Sequence, residues 1–134
     1  MKAATRVLDA YSLLAYFQGE SGQEKMMEVI RSAEDSGRVL LLSTVNWGEV
    51  FYATLRTFGR ERAEQIAHLI SCLPIEIIPA NLELARQAAV FKAAKKMSYA
   101  DCFAAALAKL HKAELVTGDK EFKRVESEVL VVWI

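Results

Sequence analysis

Val39-Leu40-Leu41-Leu42 is an unbroken apolar run, bounded by Gly37 before it and by Ser43-Thr44 after it. A strand with one wet face alternates polar and apolar residues. A continuous run is the pattern of a strand covered on both faces, as in a parallel sheet. The flanks agree with that reading. Gln23 to Ser36 carries Met27, Ile30 and Ala33 or Glu34 at helical spacing and stops at Gly37, placed as a C′ glycine. Ser43 or Thr44 caps the next helix, which bears Trp47, Val50, Phe51 and Leu55 and is broken by Gly59.

Working outward, the same alternation repeats. Thr5 to Leu8 reads as a strand that runs into Asp9 and a helix from Ala10 to Phe17. Arg60 to Ser71 reads as a helix, Leu73 to Ile78 as a strand between Pro74 and Pro79, and Asn81 caps a helix to about Lys95. Ser98 caps a helix from Tyr99 to about Lys112. Leu115 to Thr117 is a strand closed by Gly118-Asp119, with a helical turn near Phe122 and a last strand from Val129 to Trp133. Strands alternating with helices predict an α/β fold. The expectation is a single domain over residues 1–134, with a central parallel sheet of about five strands and helices on both faces.

The composition fits. A chain of 134 residues suits one domain, and 53% apolar residues supply a core that needs no disulfide staples. The formal net charge is zero, so no global field draws the protein to nucleic acid. Cys72 and Cys102 belong to no CxxC pair and read as buried free thiols. His68 and His111 stand alone, which argues against a zinc site. Without a leader-like start or a bilayer-length apolar stretch, the sequence predicts a cytoplasmic protein with no membrane association.

The chemistry lies in the acids. Ligands of open parallel sheets bind beyond the carboxyl ends of the strands. Asp9 follows the first strand directly, Asp119 follows the fourth through one glycine, and Glu49 lies in the helix after the second. Asp101 is in the first turn of a helix that runs antiparallel to the fourth strand, so it reaches the same rim. Asp9 and Asp119 also suit N-caps, and Asp101 stands three residues after Ser98 as in a capping box. Glu49 has no capping role. Two carboxylates about 5 Å apart repel by roughly 3 kcal/mol at an effective dielectric constant near 20. Four on one rim therefore call for a cation, and an all-oxygen donor set suits Mg²⁺ or Mn²⁺. Thr117, at the strand end, can hydrogen-bond one of the carboxylates. Ser12, one turn after Asp9, can orient that residue or reach a substrate phosphate.

These segments resemble the motifs of PIN domains. Val7-Leu8-Asp9-Ala10-Tyr11-Ser12-Leu13-Leu14 resembles the first, Thr44 to Glu49 the second, and Ser98-Tyr99-Ala100-Asp101 with Ala104 to Ala108 the third. Leu115-Val116-Thr117-Gly118-Asp119-Lys120-Glu121-Phe122 resembles the fourth and most specific. The likeness covers nearly the whole chain, with the spacing of VapC-like toxins. It implies a Mg²⁺- or Mn²⁺-dependent endoribonuclease, held inactive by a cognate antitoxin and commonly dimeric. Tyr11 departs from the pattern, since many PIN domains carry Ser or Asn there. Glu121 reads as a surface acid, with an outer acid that orients metal-bound water as the alternative.

The expected reaction is hydrolysis of an RNA phosphodiester, with Asp9, Glu49, Asp101 and Asp119 as metal ligands and Thr117 among the catalytic residues. No Ser-His-Asp or Cys-His arrangement offers a protein nucleophile. Ser12, Lys95, Lys96 and Lys120 are the candidate phosphate contacts. Tyr11, Tyr16, Phe17, Trp47, Phe51 and Tyr52 offer aromatic surface for an antitoxin or for a second copy of the chain. Two rivals are weighed. A phosphatase or phosphotransfer domain of similar fold wants a second acid close to Asp9, where Tyr11 stands. A non-catalytic binding protein of the same fold has no need of all four acids.

Overall fold

The run around Leu41 is a strand in the computed structural model, which describes residues 4–134. It spans Leu40–Ser43 (β2) and every residue in it is buried. Its neighbours in the sheet are Arg6–Leu8 (β1) and Ile75–Ile78 (β3), and Glu114–Thr117 (β4) and Val131–Trp133 (β5) complete the five. The strand order is β3-β2-β1-β4-β5 and every pair is parallel. The helices are Ala10–Gln18 (α1), Gln23–Ser36 (α2), Thr44–Phe58 (α3), Arg60–Cys72 (α4), Leu82–Ala94 (α5) and Tyr99–Leu110 (α6), with a 3₁₀ helix at Lys120–Val125. The α/β expectation of a five-stranded parallel sheet flanked by helices holds.

Apolar residues fill both faces because successive side chains of a strand point opposite ways. Val7, Leu41 and Leu115 pack with α5, α6 and the 3₁₀ helix through Leu84, Phe91, Leu107 and Phe122. Leu8, Leu42 and Val116 pack on the other side against Leu13, Met26, Ile30, Val50 and Ile66, from α1 to α4. Each leucine buried this way contributes roughly 1.5–3 kcal/mol relative to exposure. α6 is buried on every side from Cys102 to Ala108 and is rich in alanine, which lets it lie close to the sheet.

The order of strands positions the site. From β1 the chain moves outward through β2 to β3, then returns to the other side of β1 for β4 and β5. The connections leaving β1 and β4 therefore diverge, and the crevice between these strands at their carboxyl ends is the switch point where such sheets bind ligands. The register pairs Leu8 with Val116, so Asp9 lies beside Thr117.

Three sequence expectations need correction. The apolar stripe of α2 runs through Met26, which is fully buried, and Met27 is 46% exposed. The stripe belongs to Met26, Val29, Ile30 and Ala33, one residue out of phase with the reading at Met27. The second strand begins one residue later than the apolar run, and Val39 is exposed. Cys102 is a buried free thiol as expected, but Cys72, at the end of α4, is exposed.

Candidate active site

Asp9 is the innermost acid. It is 1% exposed and caps α1, its Oδ1 accepting from the Ser12 amide at 2.8 Å. Its Oδ2 accepts from the Thr117 hydroxyl at 2.5 Å. The same hydroxyl oxygen accepts from the Asp119 amide at 3.0 Å. Thr117, fully buried, thus ties the acid after β1 to the backbone of the acid after β4. Burial pushes the Asp9 carboxyl up to about 7, against the pull of the Thr117 and Ser12 hydrogen bonds and with a further push from the charge of Asp101.

Asp101 stands in the first turn of α6, where Ser98 Oγ accepts from its amide at 3.2 Å. Burial pushes its carboxyl up to about 6, followed by the charge of Asp119 and, more weakly, those of Glu49 and Glu121, while a Ser98 hydrogen bond pulls it down. Glu49, half-buried in α3, is raised by burial first and by the charge of Asp119, with the Asn46 amide pulling the other way. Its Oε1 is buried without a hydrogen-bond partner. Asp119 caps the 3₁₀ helix, its Oδ1 accepting from the Glu121 amide at 2.9 Å.

The four sequence-predicted acids therefore sense one another, with Asp101 the common neighbour of Asp9, Glu49 and Asp119. Among the described residues, no three His, Cys, Asp or Glu side chains close around a single metal position as they stand. The donor set nevertheless fits a hard divalent cation: four carboxylates, one with an orphaned buried oxygen and two held protonated-prone by burial. The capping readings of Asp9 and Asp119 are also correct, and each cap uses one carboxylate oxygen.

The phosphate-contact candidates separate. Ser12 is fully buried and its hydroxyl donates to the Asp9 carbonyl oxygen at 2.9 Å. Of its two expected roles, orienting Asp9 or reaching a phosphate, these hydrogen bonds match the first. Lys95 lies 3.9 Å from Glu128, a carboxylate that Lys109 engages more closely at 2.7 Å. Lys96 and Lys120 are exposed.

Two contributors escape sequence reasoning. Asn46, fully buried in α3, donates from Nδ2 to the Ala100 carbonyl at 3.0 Å. It ties the helix bearing Glu49 to the residue before Asp101. Its signal is an amide three residues before Glu49, at helical spacing from Val50 and Thr54 on the buried face of α3. The second is Gly118. A Cβ there would lie 2.3 Å from Tyr11 Cε1 and 2.9 Å from Cζ. Only a residue without a side chain lets the Tyr11 ring rest on the strand end between Asp9 and Asp119.

Fold and site together define the class: a parallel α/β domain carrying a carboxylate rim at its switch point. The PIN domain model matches residues 6–128, and the chain belongs to the PIN domain family. No curated protein sequence matches it. Among solved structures, the chain is similar to the DNA-bound VapBC of Salmonella typhimurium, with a TM-score of 0.78, 15% identity and coverage of 97% of this chain and 98% of that one. It is similar to the Sarcin-Ricin loop cleaving toxin VapC20 of Mycobacterium tuberculosis, with a TM-score of 0.74, 15% identity and coverage of 89% and 93%. FitAcB from Neisseria gonorrhoeae gives a TM-score of 0.66, 20% identity and coverage of 95% and 96%.

Proposed function

We propose that the chain is a divalent-metal-dependent endoribonuclease hydrolysing RNA phosphodiester bonds, and the toxin of a toxin–antitoxin pair. The observation that carries this reading is the convergence of Asp9, Glu49, Asp101 and Asp119 on one rim, with Asp9 and Asp101 both raised by burial and by charge. Perturbed carboxylates in such an arrangement mark a functional site rather than a solvated surface.

Asp9, Glu49, Asp101 and Asp119 would hold Mg²⁺ or Mn²⁺. When bound, the cation polarises the scissile phosphate and offsets the charge that develops on it. The protein's own groups prepare the site. The Ser12 amide and the Thr117 hydroxyl fix the two oxygens of Asp9. The Ser98 hydroxyl fixes the first turn of α6, and Asn46 fixes α6 against α3. Glu49 presents an oxygen with no competing protein donor. Lys96 and Lys120, both exposed, supply cations for the flanking phosphates.

The antitoxin part of the reading draws on the neighbours, among them a toxin–antitoxin complex from Klebsiella pneumoniae. It also draws on an apolar groove of about 400 Å³ lined by Tyr16, Phe17, Met27, Leu69 and Leu73. Such a groove suits the apolar face of an antitoxin helix, and a homodimer is the second assembly proposed. No helix among the described residues is long and apolar enough to cross a membrane, and a cytoplasmic site of action is part of the proposal.

The test is cleavage of RNA in Mg²⁺ or Mn²⁺, set against EDTA and against Asp9→Asn and Asp101→Asn. Loss of cleavage in EDTA and in both variants is expected. Equal cleavage by all of them overturns the mechanism. Sedimentation showing monomer alone, with no protein co-purifying, overturns the assembly part.

A further inference from the structure

We propose that Tyr11 is a stacking platform for one unpaired nucleobase of the RNA, next to the phosphate held at the acid rim. The inference rests on the nuclease reading and adds a base subsite to it.

Three observations meet at this ring. Tyr11 is 40% exposed although it sits in the first turn of α1, two residues from buried Asp9. The Cδ1–Cε1–Cζ side of the ring lies against Gly118, so closely that no other residue fits there. Gly118 is followed by Asp119, so the ring is set between two of the four acids. Other aromatic rings have aromatic partners: Trp47 stacks on Phe51 with centroids 5.3 Å apart, and Tyr99 meets Phe103 edge-on at 4.9 Å. Tyr11 instead rests on backbone and keeps part of its ring open to solvent.

The chemistry of the occupant follows from the surroundings. An apolar partner residue would be set beside carboxylates whose charge it cannot offset. A nucleotide carries both parts that the place asks for, a flat π-face for the ring and an anionic phosphate for a cation held by the acids. Bases of single strands are recognised on aromatic rings in this way, with little dependence on base identity. Because one edge of the ring already packs against Gly118, part of its side-chain freedom is spent before a base settles on it. A base locked in a duplex is not free to stack there, so the subsite selects unpaired RNA.

The test combines steady-state cleavage of single-stranded RNA oligonucleotides with photo-crosslinking. Wild type, Tyr11→Phe and Tyr11→Leu are compared on oligonucleotides in which one base at a time is replaced by an abasic site. Tyr11→Phe keeps the wild-type KM. Tyr11→Leu raises KM by about 5- to 100-fold, the range of a single stacked base, with a smaller change in kcat. One abasic position removes the difference between wild type and Tyr11→Leu. In Ca²⁺, an oligonucleotide carrying 5-iodouridine at that position crosslinks to Tyr11, read by mass spectrometry on the wild-type chain whether or not the variants fold. Cleavage by wild type with an unchanged KM in Tyr11→Leu and no crosslink at Tyr11 overturns the subsite and leaves the nuclease standing. Loss of antitoxin capture in Tyr11→Leu without a change in KM overturns it in favour of a protein contact. A wild-type chain that neither cleaves nor crosslinks RNA overturns both readings.

Discussion

The hydroxyl of Thr117 donates to Asp9 Oδ2 across the β1–β4 seam and accepts from the amide of Asp119. One oxygen atom thereby sets the separation of two acids that belong to different halves of the sheet. Thr117→Val keeps the shape and deletes the link. A hydrogen bond to a charged group contributes about 1.5–3 kcal/mol, so Mn²⁺ affinity at neutral pH falls on the order of 10- to 100-fold, while Thr117→Ser retains most of it. Titration by calorimetry or by Mn²⁺ spin resonance reads the difference, and equal affinity in Thr117→Val would show that the link is idle.

The carboxyls of Asp9 and Asp101 are raised from 3.8 to about 7 and about 6 in the folded chain. A group whose folded pKa exceeds its unfolded value contributes stability that is complete below the unfolded pKa and is lost as pH rises through the folded one. In EDTA these two groups therefore lower the melting temperature between pH 4 and pH 7, and the loss is complete above pH 7. Saturating Mg²⁺ favours the ionised acids and flattens that fall. The difference between wild type and the Asp9→Asn, Asp101→Asn double variant isolates their share in thermal melts. A metal-free melting temperature that rises with pH relative to the double variant would contradict the sign.

Asp101 has the most acidic neighbours, and its neutral amide has the clearest signature. In EDTA at pH 8, Asp101→Asn melts higher than wild type because one buried charge is gone. In Mg²⁺ the order reverses, because wild type gains from the cation and the variant gains little. RNA cleavage falls by at least about 100-fold, in line with loss of a group that stabilises the transition state electrostatically.

Asn46→Leu leaves the Ala100 carbonyl without its donor and removes the hydrogen bond that ties α3 to the start of α6. The orphaned acceptor costs about 1–3 kcal/mol, a drop of several degrees in melting temperature. Metal affinity falls as well, since Glu49 and Asp101 lose their common strut. A variant that loses stability and keeps wild-type Mn²⁺ affinity would show Asn46 to be a core residue alone.

Gly118→Ala drives a methyl into the Tyr11 ring. Overpacking of this kind costs about 1–3 kcal/mol. Tyr11→Ala in the same chain relieves the clash, so the double variant is more stable than the sum of the single effects predicts. Additive losses in a chemical-denaturation cycle would mean that the ring moves aside freely.

Much of this was readable from residues alone, for identifiable reasons. The short apolar run at Leu40–Leu42, bounded by Gly37 and by Ser43-Thr44, has the length and flanks of a strand with two covered faces, so the parallel sheet was legible. Asp9, Glu49, Asp101 and Asp119 were legible because strand ends and helix starts in such a sheet share a rim. The phase of α2 was not, since Met26 and Met27 are adjacent and equally apolar, and packing alone chooses between them. The choice between the two roles of Ser12, and the pairing of Lys95 with Glu128, were not legible because sequence shows which groups are near a site, not which partner each one takes. Asn46 and the Tyr11–Gly118 contact depend on distances between elements that the chain order does not encode.

Three of the four acids sit where a helix begins: Asp9 at α1, Asp101 in the first turn of α6, and Asp119 at the 3₁₀ helix. The amide ends of helices carry partial positive charge. The scaffold thus brings its own fractional counter-ions to the rim. For the proposed nuclease, backbone amides would already meet part of the negative charge that a cation has to offset.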